Sequence, residues 1–259
     1  MRSDGTLNSI KARYDTVVVG AGFSGIYALH KFLQKGLSVL LLEKGEGLGG
    51  TWFWNSYPGA RCDVESMEYS YQFDEKLQQY WEWTERYASQ PEILKYMEYV
   101  VERFNLRSNM RFGVKVDAAT FDENSNDWTI ETSTGNIIKA KYCVFGTGCL
   151  SQPIFPDIQG IDSFKGRIVH TGLWPKEEIN FSGLKVGIIG TGSSGAQCLP
   201  EISKTAAKVT VFQRTPAYCV PSQNRPLDPD SQAYIKKHYK KLRDKAWTTR
   251  AGIRYGLTD

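Results

Sequence analysis

Tyr14-Asp15-Thr16-Val17-Val18-Val19-Gly20-Ala21-Gly22-Phe23-Ser24-Gly25 is an apolar strand that runs into a glycine loop and then into a helix-compatible stretch. Glycines at 20, 22 and 25 permit the tight turn and let the backbone approach a pyrophosphate held at the positive end of the next helix. The second strand of the unit, Leu37–Glu43, ends on a carboxylate, the group that accepts a ribose 2′-hydroxyl. The pattern recurs downstream. Lys185-Val186-Gly187-Ile188-Ile189 precedes Gly190-Thr191-Gly192-Ser193-Ser194-Gly195, and at nearly the same interval the chain reaches Arg214. An arginine there favours a 2′-phosphate. Glu43 therefore points to the AMP half of FAD or to NAD, and Arg214 to NADP. One such loop can be an ordinary strand–helix crossover in which glycines ease packing. Two complete copies, each with both strands, a helix and a terminal charge, predict two nucleotide sites.

These units predict an α/β fold with two Rossmann-like dinucleotide-binding domains of three layers. Proline-rich Gln152–Pro156 marks the expected crossing, with residues 1–150 in an FAD-binding part and 151–259 in an NADP-binding part. Residues 1–13 read as a polar leader. The stretch Thr51–Asp63 has neither helical nor strand period yet carries two tryptophans, and such an aromatic loop is expected to wrap a ligand. Gln90-Pro91-Glu92 opens a helix whose apolar stripe faces a core. Arg111–Thr134 alternates as short strands, Thr134-Gly135-Asn136 turns into Ile137–Lys141, and Tyr142–Gly148 reads as a buried strand ending in a glycine turn. Ser231–Trp247 reads as a helix with Tyr234, Ile235, His238, Tyr239 and Leu242 on one face. Its basic run, Lys236, Lys237, Lys240, Lys241, Arg243 and Lys245, reads as a solvated face.

Composition agrees with a globular chain: 259 residues, 41% hydrophobic, 23% charged and a net charge of +4, too small to imply nucleic acid. Cys62, Cys143, Cys149, Cys198 and Cys219 are scattered without a C-x-x-C pair, so they read as reduced and mostly buried thiols. That spacing argues against flavin-dependent disulfide reductases, which need a redox-active thiol pair. No apolar run approaches the roughly 20 residues of a membrane span. A soluble, cytoplasmic protein without a metal site is expected.

Phe164-Lys165-Gly166-Arg167-Ile168-Val169-His170-Thr171-Gly172-Leu173-Trp174-Pro175 resembles the F-x-G-x-x-x-H-x-x-x-W-P fingerprint of type I Baeyer–Villiger monooxygenases. Gly49–Asp63, Trp83-Thr84-Glu85-Arg86-Tyr87 and Phe212-Gln213-Arg214-Thr215-Pro216 are similar to that family as well. The resemblance implies an enzyme in which NADPH reduces a bound FAD, which then uses O2 to insert an oxygen atom beside a ketone carbonyl. The product is an ester or lactone. It further implies that Gly20, Gly22, Gly25 and Glu43 hold the AMP part of FAD, with Thr51, Trp52, Asp63 and Tyr69 along its remainder. Gly190, Gly192, Ser193, Ser194, Gln197, Arg214 and Thr215 would hold NADP. Asp63 takes the place of the family's active-site aspartate, beside a structural alternative as a buried ion-pairing residue. Phe164, Gly166, His170, Trp174 and Pro175 carry the fingerprint; His170 and Trp174 also have a plain reading as core residues.

The family's catalytic arginine matches none of Arg243, Arg250 or Arg254, and its expected place lies beyond residue 259, as do the ends of both domains. An N-terminal half is therefore expected. Two alternatives stand beside the ketone reading: a shortened paralogue that binds a nucleotide or a partner without turnover, and a flavin monooxygenase that oxidises nitrogen or sulfur.

Overall fold

The computed structural model describes residues 10–250 and 252; most of the polar leader, and Arg254, lie outside them. In chain order the elements are β1 (Arg13–Val19), α1 (Phe23–Gln34), β2 (Val39–Leu42), α2 (Thr51–Trp54), α3 (Glu75–Tyr80), α4 (Gln90–Arg103) and β3 (Met110–Arg111). They continue with β4 (Val116–Asp122), β5 (Asp127–Thr132), β6 (Ile137–Phe145), β7 (Lys185–Ile189), α5 (Ser193–Ser203), β8 (Lys208–Phe212) and α6 (Pro229–Trp247). The fold is α/β, with a Rossmann-like β–α–β unit at each glycine loop. Two compact units are each drawn from two stretches: Met1–Trp54 with Leu94–Leu173, and Asn55–Ile93 with Trp174–Asp259. This division does not coincide with a boundary at residue 150. Residues 55–93 pack with the second glycine unit, so connectivity along the chain and packing part company there.

The first unit is built on a six-stranded sheet in the order β3-β2-β1-β6-β5-β4. β3, β2, β1 and β6 run parallel, and β5 and β4 are added antiparallel. Val17, Val18, Leu40, Leu41 and Leu42 are all buried, the continuous apolar run of a strand covered on both faces. Successive side chains alternate across the sheet. Tyr14, Val17, Leu40, Leu42, Val114, Ile130, Ile138 and Ala140 form the core on one side. On the other, α1 packs against β1, β2 and β6 and brings Gly25 over Val18. The turn expected at Thr134–Asn136 is present, with Gly135 at φ +79°.

Three sequence expectations are corrected in this part of the chain. Thr51–Trp54 forms one helical turn, because the amides of Trp52, Phe53 and Trp54 find the carbonyls of Gly49 and Gly50. The strands expected at 137–141 and 142–148 are one strand, β6. Its far end is not buried: Tyr142 and Phe145 are exposed, since the antiparallel partner β5 ends opposite Ala140.

In the second unit β7 and β8 pair in parallel, with Val186 opposite Val209 and Ile188 opposite Val211. Tyr57, Ala60, Ile188, Cys198 and Ile202 form its core beside this pair, with Trp174 and Phe181 packed on it. α6 starts at Asp228, whose carboxylate accepts from the Ser231 amide (2.8 Å), followed by Pro229 at its first position. Ile235, Tyr239, Leu242 and Ala246 are buried at helical spacing. The expected face is corrected in two places. Tyr234 and His238 stack on each other outside this stripe, at 4.4 Å between ring centroids. Arg243 is buried, and donates from Nη2 to the Met67 carbonyl (3.1 Å) and Ser70 Oγ (2.9 Å). Among the described residues no helix is long and apolar enough to cross a membrane.

Candidate nucleotide-binding site

The first glycine loop is shaped by steric exclusion. Gly20 has φ +102°, and a Cβ there would lie 2.6 Å from the Gly146 carbonyl oxygen. A Cβ on Gly25 would overlap the Gly20 carbonyl oxygen, and one on Gly50 would lie 2.9 Å from Gly22 Cα. The glycine-rich link 45–50 thus lies against the loop, and the Gly49 amide donates to the Ala21 carbonyl (2.9 Å). Gly22 caps α1 without a side-chain bond, at the positive helix end that suits an anion. Glu43 is 5% exposed: its Oε2 accepts from the Ala21 amide (2.7 Å) and its Oε1 from the Gly45 amide (2.8 Å). A carboxylate at this strand tip therefore ties the loop to the link. Gly45, Gly49, Gly50 and Gly146 escaped the sequence reading as site residues; their signals were the glycine-rich link and the Gly146-Thr147-Gly148 turn.

The second loop repeats the first atom for atom in its backbone logic. Gly190 has φ +97°, and its amide donates to the Phe212 carbonyl (2.9 Å), as that of Gly20 does to Leu42 (2.8 Å). Gly192 caps α5, again without a side-chain bond, and a Cβ on Gly195 would lie 2.5 Å from the Gly190 carbonyl oxygen. Thr191 in the loop accepts from Gln213 Nε2 (3.0 Å), just beyond β8. Arg214 and Thr215 follow and are exposed. Ser193 and Ser194 form the first turn of α5.

Gln197 lies one turn further along α5, and its carboxamide takes part in three hydrogen bonds. Its Oε1 accepts from the Tyr57 hydroxyl (2.8 Å) and the Arg61 amide (3.3 Å), and its Nε2 donates to the Arg61 carbonyl (3.0 Å). The Arg61 guanidinium donates to Glu85 Oε2 (2.7 Å) and to the Tyr87 carbonyl (2.7 Å), and Asn224 Nδ2 donates to the same Glu85 oxygen. Arg86 is bonded twice to the buried Glu65 (2.8 and 2.6 Å). Glu85 and Arg86 were legible only as part of the Trp83–Tyr87 resemblance. Burial pushes the Tyr57 hydroxyl upward in pKa, offset in part by a hydrogen bond with Ser194. Cys62 is pushed up to about 11 by burial. The next residue, Asp63, is exposed and has no ion pair among the described residues, so its alternative as a buried pairing residue is corrected. Tyr69 is half-buried in the same unit.

In the first unit Thr51 is exposed on α2 and Trp52 is buried. The fingerprint is divided between the units. In the first, His170 lies 5.0 Å from the Phe155 ring and its Nδ1 accepts from the Gly172 amide (3.0 Å), while Phe164 is exposed and covers Gly166. In the second, half-buried Trp174 packs on the core, in line with its plain reading, and Pro175 follows it. The expectation of mostly buried cysteines is corrected: Cys62 and Cys198 are buried, Cys143 is intermediate, and Cys149 and Cys219 are exposed.

The family model of pyridine nucleotide-disulphide oxidoreductases matches residues 17–251. The chain belongs to that family. All five cysteines of this chain are free, and no C-x-x-C pair occurs among them. Monooxygenases are among its relatives. It is 44% identical over 242 residues to a phenazine N-monooxygenase of Lysobacter antibioticus, covering 93% of this chain and 44% of that one. It is 45% identical over 232 residues to a Baeyer–Villiger monooxygenase of Pseudooceanicola batsensis, covering 89% and 42%. A solved oxidised steroid monooxygenase bound to NADP superposes with a TM-score of 0.90 at 46% identity, over 95% of this chain and 47% of that one. The chain spans about half the length of the curated relatives it matches.

Proposed function

We propose that this oxidoreductase forms the dinucleotide-binding part of a flavin-dependent monooxygenase that consumes NADPH and O2 and inserts an oxygen atom beside a ketone carbonyl. One NADPH, one proton, one O2 and one ketone would yield NADP+, water and an ester or lactone. The observation that carries this reading is the pair of matching loops whose strand tips differ in charge. FAD and NADPH, when bound, supply the oxygen activation and the hydride.

Both groups fit the residues present. Gly20, Gly22, Gly25 and Gly50 leave a backbone surface that any Cβ at Gly20, Gly25 or Gly50 would disturb, at the N-terminal end of α1. Glu43, held by two amides, keeps further lone pairs on each carboxylate oxygen for a ribose hydroxyl. Thr51, Trp52, Asp63 and Tyr69 would line the rest of FAD. Gly190, Gly192, Ser193 and Ser194 would take the NADP pyrophosphate, and Arg214 with Thr215 the 2′-phosphate. Gly192 has nothing within 4 Å of a built Cβ, so space for a ligand remains there. Asp63, which is exposed, would hold a cationic side chain in the assembled active centre.

Calorimetric titration tests the binding half. Arg214→Ala is expected to weaken NADPH binding about tenfold and to leave NADH unchanged; equal losses would remove the 2′-phosphate assignment. Product analysis tests the chemistry, with an ester from a ketone as the expected outcome. The phenazine N-monooxygenase relative favours a second reading, oxidation at nitrogen. An N-oxide from a phenazine, with no ester from any ketone, would select it.

A further inference from the structure

We propose that Gln197 is a positioning residue, which with Tyr57 fixes the loop carrying Asp63 to the helix of the second glycine loop, and that it is not a nucleotide ligand. The inference rests on the monooxygenase reading only for what Asp63 does, not for the clamp itself. Three hydrogen bonds meet at one carboxamide: the Tyr57 hydroxyl and the Arg61 amide donate to Oε1, and Nε2 donates to the Arg61 carbonyl. A side chain that exchanges both a donor and an acceptor with one residue's backbone fixes that residue in register, as a strand partner would. Its amide then has one N–H left for anything else.

A Cβ on Gly59, which has φ +80°, would overlap the Gln197 carbonyl oxygen, so the loop rests directly on α5. Ala60 and Tyr57 are buried against Cys198 and Ile202 of the same helix. From the opposite side Arg61 pairs with Ser89 in an isolated bridge and the Cys62 amide donates to the Ala88 carbonyl (3.0 Å). The 57–62 stretch is thus held at both edges, and Asp63 is the first residue past the clamp that is exposed. Ser193 and Ser194 stand four and three residues before Gln197, so they share its face of α5. A shift of the helix start would be passed to Arg61 through this one carboxamide.

Hydrogen exchange on the full chain, without nucleotide, reads the clamp directly. Gln197→Met keeps the side chain's length and removes all three bonds; Tyr57→Phe keeps the buried ring and removes one. The Arg61 and Cys62 amides are expected to exchange about tenfold faster in Gln197→Met and less so in Tyr57→Phe. NADP+ affinity, titrated separately, is expected to fall less than about threefold in Gln197→Met. Unchanged exchange in both variants overturns the proposal, and so does a loss of NADP+ affinity beyond tenfold. If the unsubstituted chain fails to bind NADP+ while the exchange result holds, the monooxygenase reading falls and the clamp stands.

Discussion

Alanine at Gly25 would bring a methyl group onto the Gly20 carbonyl oxygen, and the backbone there has no flexible side chain to yield. Gly25→Ala is expected to lower stability by about 1–3 kcal/mol, the range for overpacking a tight site, as read by urea denaturation. Gly192→Ala provides the contrast. Its φ of −69° is ordinary and its surroundings are open, so stability should fall by less than about 1 kcal/mol while NADP+ affinity drops. A second consequence of burial concerns pH. The Cys62 thiol is raised from 9.0 to about 11, so between those values the unfolded chain has released a proton that the folded chain keeps. Stability contributed by Cys62 is therefore full below pH 9 and declines as pH rises towards 11, by about 1.4 kcal/mol per pH unit at most. Cys62→Ser should flatten that decline in urea melts recorded from pH 8.5 to 10.5.

At the scale of elements, α6 depends on a residue whose charge pattern suggested the opposite surroundings. Arg243 sits in a run of lysines, yet its guanidinium holds the carbonyl of Met67 and the hydroxyl of Ser70. Arg243→Met is expected to cost about 1–3 kcal/mol by leaving that buried carbonyl unpaired, with faster exchange along α6 and residues 67–70. Lys240→Met, on an exposed side chain of the same helix, should be neutral. The contrast explains what the sequence could and could not reveal. Helix α6 was legible because apolar spacing is local, and so were β1, α1, β2 and their copies, where glycines report their own φ. Which cation of a basic run turns inward depends on carbonyls about 175 residues away in the chain, and no local period records that. The same holds for Gln197, which the family resemblance placed at the nucleotide; its partners at 57 and 61 come from a distant stretch. The burial of β6 was overestimated for a related reason: an apolar strand looks alike whether or not its neighbour runs its full length.

On the scale of the whole chain, packing and sequence order are interleaved. Tyr57 and Ala60 belong to the same core as Ile188, Cys198 and Ile202, although more than a hundred residues separate them. A fragment of residues 151–259, cut where the proline-rich stretch suggests a boundary, would expose that core. It is expected to lack a cooperative urea transition and to bind a hydrophobic dye, whereas the intact chain does neither. Supplying residues 55–93 through a linker should restore the transition.

The two glycine turns share torsions to within a few degrees, 102° against 97° at their first glycine, so neither encodes in its own curvature which cosubstrate it prefers. On the proposed reading, selectivity resides at the tips of β2 and β8. Anyone re-engineering coenzyme preference should leave both loops untouched and rewrite Glu43 or Arg214. The first of these also braces its own turn, so Arg214 is the position open to exchange.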